Sequence, residues 1–199
     1  QPTPQRQVKL RDADAYIEVG FQLELWSDNV IAGARNPKIQ KQADGHSFAA
    51  DGIKPLLVPR LADRSMGDVH ALGNPHVWFE PFSGHVFAKN IEACLARVAP
   101  GKAEVFGKAR KEFDKKLDEA VFGKELVEVM GGARLEKLAR AGKLDDFLRD
   151  NKLKGKPLEE MLGGLMKKAR PLKGAKLLSY HQSWPYFEST WGCTFVEQL

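Results

Sequence analysis

The sequence predicts an α/β fold built on short parallel sheets. Two observations point there. Short apolar runs, DAYIEVG (Asp14–Gly20), PLLVP (Pro55–Pro59) and KLLSY (Lys176–Tyr180), have the length of buried strands. They alternate with longer stretches whose apolar residues recur at helical spacing, and that alternation favours parallel sheets flanked by helices. A chain of 199 residues can fold as one large domain or two small lobes.

DAYIEVG reads as a strand ending in glycine, and residues 23–34 as the helix after it. Residues 36–52 are polar with scattered Gly and Asp and read as loop, and PLLVP as a buried strand. RLADRSMGDVHALGNPH is a long surface loop. Pro81 opens a helix, where its missing N–H costs nothing. Phe87, Ile91, Cys94, Leu95 and Val98 form its apolar stripe. Pro100 and Gly101 end it. A second helix, residues 102–122, carries Phe106, Ala109, Phe113, Leu117 and Ala120 on one face and charges on the others, as a helix bridging two lobes would. Residues 131–164 read as helices punctuated by glycine, and Leu158, Met161, Leu162, Leu165 and Met166 as core. KLLSY is a second buried strand with His181 at its C-terminal end, and a helix holding Trp184, Phe187 and Trp191 follows.

The net charge of +5 leaves nucleic-acid binding open as a class. The basic residues are interleaved with acids, as in KARKEFDKKLDE, which describes a solvated helix face. No nucleic-acid partner is expected. No apolar run reaches the length of a membrane span. Cys94 and Cys193 match no Cys-x-x-Cys motif, and Cys94 lies on an apolar stripe, so a buried thiol is expected. The start, QPTPQRQ, has neither an initiator Met nor a signal-peptide pattern, and CTFVEQL stops just after an apolar stretch. Both ends read as cut.

Two segments concentrate chemistry. GNPHVWFEP (Gly73–Pro81) sets His76 in a loop between two prolines, just before a helix. SYHQSWPYFESTWG sets His181 at a strand end, where open α/β sheets bind ligands. Imidazole is the commonest metal ligand. Each histidine taken singly reads as structural, and their separation matches no zinc-finger or HExxH spacing. His46, His70 and His85 read as surface residues. Asp68 and Glu80 are possible carboxylate ligands, with Glu80 the better fit to the start of the following helix.

These segments resemble the metal-binding receptor of bacterial ABC importers for zinc or manganese. ADAYIEVGFQLELW, GNPHVWFEP, NIEACLARVAP and LLSYHQSWPYFESTWG match family motifs in order, and PLEEMLGGLMKKARPLKGAK matches a segment found in some members. The resemblance implies an N-terminal lobe over residues 1–99, a bridging helix over 100–122 and a C-terminal lobe over 123–199, with the metal in the cleft. His76 and His181 would be ligands for Zn²⁺, or Mn²⁺. Asn74 would set the turn that aims His76, and Trp78 and Trp184 would pack around the site. A further histidine and a carboxylate of the family site would fall outside this sequence. The protein would be a periplasmic or otherwise extracytoplasmic receptor, not an enzyme. Its partner would be an ABC permease, and it would meet the membrane only through that permease or a lipid anchor. Three other classes remain. One is a degenerate receptor fold serving as an adhesin or interaction protein without metal. Another is a metallo-hydrolase with an open zinc position. Nucleic-acid binding rests on charge alone.

Overall fold

A computed structural model of the chain describes residues 4–59 and 70–198. The part of the predicted surface loop spanning 60–69, with Asp68, lies outside the described residues. The chain divides into two compact units. The first comprises residues 1–77 and 85–111, and the second residues 78–84 and 112–199.

In the first unit, α1 (Pro4–Arg11) leads into β1 (Tyr16–Glu18), α2 (Ser27–Ala34) and β2 (His46–Phe48). β1 and β2 pair in parallel, with Tyr16 opposite His46 and Glu18 opposite Phe48. α3 (Ser83–Val98) begins two residues after Pro81. Its Asn90 donates to the carbonyls of Ala49 (2.9 Å) and Asp51 (2.8 Å), and its Arg97 to that of Asp44 (3.1 Å). The helix thus ties down the segment around β2, and Cys94 between those anchors is fully buried. Asn36 ties α1 down in the same manner, through the carbonyls of Leu10 and Ala13 at 2.8 and 2.7 Å.

Two strand expectations fail in this unit. The polar stretch 36–52 contains β2 and a 3₁₀ turn, Pro37–Ile39. A three-residue strand reading His-Ser-Phe has no apolar signal, and pairing with β1 makes it. PLLVP is not a strand. Leu57 and Val58 are each 53% exposed, and Leu57 has a positive φ. The carbonyl of Leu56 accepts from Asn74 N (2.8 Å), so the segment braces the turn before His76 instead of joining a sheet.

α4 (Ala103–Phe122) contributes residues to both units. Its expected stripe is only half covered, and Phe113 is 47% exposed. In the second unit, α5 (Lys124–Met130), α6 (Gly132–Arg140) and α7 (Leu144–Asp150) follow. Next come a hairpin of β3 (Lys152–Leu153) and β4 (Lys156–Pro157), and α8 (Gly164–Lys168). Phe82, Val121, Phe122, Leu126, Leu135, Leu148, Leu158 and Leu162 form one apolar core among these helices. Gly155, expected as a helix stop, sits in the hairpin turn at φ +83°. β5 (Lys176–Ser179), α9 (Pro185–Trp191) and β6 (Thr194–Gln198) complete the unit, with β5 and β6 parallel. β5 is less buried than its sequence suggests. Leu178 is 61% exposed, and Ser179 is its one buried residue.

The short parallel sheets with helices are the α/β architecture expected. Both cysteines are free and buried, and burial raises both thiols above their usual range.

Candidate metal-binding residues

His76 belongs to the first unit and His181 to the second. Gly73, at φ +103°, starts the turn that carries His76. A β-carbon there would fall 2.7 Å from Pro55 Cβ and 3.0 Å from the Leu56 carbonyl, so the close approach of these two segments requires glycine. Pro75 and Val77 on either side of the histidine are fully buried. Asn74, itself buried, accepts through Oδ1 from both the backbone N–H (3.0 Å) and ring Nδ1 (3.0 Å) of His76. An amide oxygen is only an acceptor, so the Nδ1 contact needs a proton on Nδ1. That proton places the lone pair of a neutral ring on Nε2. The turn therefore fixes both the direction and the tautomer of the imidazole.

His181 is built differently. It is exposed at the C-terminal end of β5, with its ring edge-on to Tyr180 at 4.6 Å. Its carbonyl accepts from the Ser179 hydroxyl. Trp184, expected beside the metal, packs at a tilt against Phe79 (4.4 Å between centroids) and stacks on Phe195 (5.2 Å). Trp78 occupies a 3₁₀ turn and is 41% exposed. Glu80 accepts from the Ser83 hydroxyl (3.1 Å) and pairs with Arg140. Burial raises its carboxyl above the usual range, against the lowering effects of Arg140 and Ser83. Its position just ahead of α3 is the one expected.

Two of the histidines read as surface residues are half-buried, His70 and His85. His46 is buried. Its Nε2 lies 2.7 Å from Glu18 Oε1, and the other carboxylate oxygen accepts from buried Ser27. The sequence did carry a signal for this cluster. A glutamate inside an apolar strand has to find partners when buried. A cavity of about 550 Å³ opens beside Glu18, lined also by Glu24, Asp28, Lys41 and Phe48, and His76 is not part of its wall. Among the described residues, no group of three or more His, Cys, Asp or Glu side chains is placed to hold a metal ion.

The profile of the family described as zinc-uptake complex component A periplasmic (ZnuA) matches residues 1–121, more than half of the chain. The chain belongs to this family. The iron-binding protein YfeA of Yersinia pestis is 25% identical over 117 residues, covering 59% of this chain and 33% of its own. The manganese ABC transporter substrate-binding lipoprotein PsaA of Streptococcus pneumoniae is 28% identical over 123 residues, covering 59% of this chain and 36% of its own. A crystal structure of a ZnuA deletion mutant with zinc bound aligns with all of this chain and 54% of that one. Its TM-score is 0.58 at 22% identity, a likeness of fold. The zinc-bound ZnuA-like domain of Streptococcus pneumoniae AdcA aligns similarly, at TM-score 0.57 and 18% identity, over 99% of this chain and 52% of that one. The chain thus spans about a third of the length of these curated relatives and about half of these structures.

Proposed function

We propose that this family member is the metal-capturing part of an extracytoplasmic receptor that takes up Zn²⁺, or Mn²⁺, and passes it to an ABC permease. Its task is binding, with no bond made or broken in the cargo. His76 and His181 act as ligands to one ion. Residues 1–99 and 123–199 serve as the two lobes, and 100–122 as the connecting helix. The protein works outside the cytoplasm, near the membrane through the permease or a lipid anchor.

The observation that carries this reading is the double hydrogen bond from His76 to Asn74 Oδ1. A ligating histidine commonly donates its second ring N–H to a fixed acceptor, which sets the tautomer and orients the metal-facing nitrogen. Asn74 fills that role without adding charge. The strand-end position of His181 and the metal-binding names of the relatives support the same reading. Two imidazoles suit a borderline cation and fill half of a four-coordinate zinc shell. Trp78 and Trp184, close in sequence to the two histidines, complete the surroundings.

The test is a zinc titration of chelator-treated protein followed by tryptophan fluorescence. A saturable one-to-one response is expected. It should be lost in His76→Ala and in His181→Ala, and weakened about 10- to 100-fold in Asn74→Ala. A response indifferent to both histidines would overturn the proposal.

A further inference from the structure

The hairpin of the second unit carries a concentrated charge that metal capture does not use. Lys152, Lys154 and Lys156 stand on β3, the turn and β4, and all three are exposed. Lys154 (φ +49°) and Gly155 (φ +83°) make the two-residue turn, with both φ positive as a tight hairpin of this type requires. Its base is fixed. Leu158 N donates to the Asn151 carbonyl (2.9 Å), Asn151 Nδ2 to that of Phe147 (2.8 Å), and Leu158 lies in the core. Three cations therefore project from a short, anchored element.

Nearby carboxylates are engaged elsewhere. Asp145 pairs with Arg170 and Lys173, Asp146 and Asp150 with Arg149, and Glu159 with Arg170, which leaves Glu160. No acid lies within residues 151–158. Leu153, opposite Lys156 in the pairing and on the same face of the hairpin, is 37% exposed, with Lys152 on the other face.

We propose that this hairpin docks tip-first on an anionic lipid surface, with Lys154 at the tip, Lys152 and Lys156 on its two faces reaching phosphate headgroups, and Leu153, on the Lys156 face, entering the interface. The residue type favours lipid over a protein partner. Protein interfaces are enriched in Arg and depleted in Lys. Lysine acts as a hydrated point charge on a flexible stem, which suits a diffuse field of headgroups better than a fixed bidentate acceptor. The contact is a direct one, separate from attachment through a permease or a lipid anchor, and it does not depend on bound metal.

The test is cosedimentation of the chain with vesicles of phosphatidylglycerol and phosphatidylcholine, beside vesicles of phosphatidylcholine alone. Binding to the acidic vesicles, weakened by salt, is expected. Each lysine near such a surface is worth roughly fivefold in partitioning, so K152Q/K154Q/K156Q should bind about 100-fold more weakly. A control, K102Q/K108Q/K111Q, removes the same three charges from exposed positions before and on α4 and should keep most of the binding. Circular dichroism checks that both variants fold. Absence of binding to acidic vesicles, or equal losses in the two triple variants, would overturn the assignment. Equal losses would mean that net charge alone is responsible. Binding to an acidic protein with no vesicle binding would overturn it as well.

Discussion

The two units are held by different forces. In the first, side chains clamp backbone. Asn36, Asn90 and Arg97 each reach carbonyls distant in sequence, and Glu18 is locked between His46 and Ser27. In the second, an apolar core gathers Phe82, Phe122, Leu126, Leu135 and Leu148. The histidines follow their settings. His76 sits in a turn fixed by hydrogen bonds to backbone and to Asn74. His181 stands exposed at the end of a short strand. One imidazole is preorganised and the other can adjust, so in the proposed shared site the cost of ordering would fall mainly on the second.

The contrast can be broken from either side. The largest effect is expected from Phe122→Ala, which removes a fully buried ring stacked on Phe82 and should cost about 3–5 kcal/mol. Cys94 and Cys193, one buried thiol in each unit, allow the loss to be located. Under denaturant, Cys193 should react with a thiol reagent earlier than in the parent, while Cys94 keeps its midpoint. Equal shifts in both would show that the units do not respond separately. His46→Ala tests the polar unit. It leaves the Glu18 carboxylate buried with a partner gone, at a cost of about 3 kcal/mol, and should advance Cys94 instead.

The smallest effect concerns pH. Burial raises the carboxyl of Glu80 in the folded chain, so the folded state holds its proton in a window where the unfolded chain has released it. This group therefore favours folding below that window and loses the contribution as pH rises through its raised value. Glu80→Gln should flatten that part of the stability profile, as read from denaturant midpoints just above the ordinary glutamate range. An unchanged slope would mean that Arg140 fully offsets burial.

Much of this was legible in the sequence because helices repeat their signal. The 3.6-residue stripe placed α3 and α4 within two residues at each end. The Pro-rich and Gly-marked histidine motifs, read against the family, placed His76 in a turn and His181 at a strand end. Short strands carried too little signal. β2 reads His-Ser-Phe and exists through pairing with β1, whereas PLLVP has the composition of a strand but is used as a brace. His46 was missed because the partner that buries it, Glu18, lies 28 residues away. The β3–β4 hairpin was hidden among glycines that looked like helix stops.

Joint use of one ion by His76 and His181 is tested most directly by X-ray absorption at the zinc edge on the one-to-one complex. Two imidazole nitrogens at about 2.0–2.1 Å are predicted, falling to one in His76→Ala and in His181→Ala. A spectrum with fewer than two imidazoles, or one that neither substitution changes, would contradict the shared site.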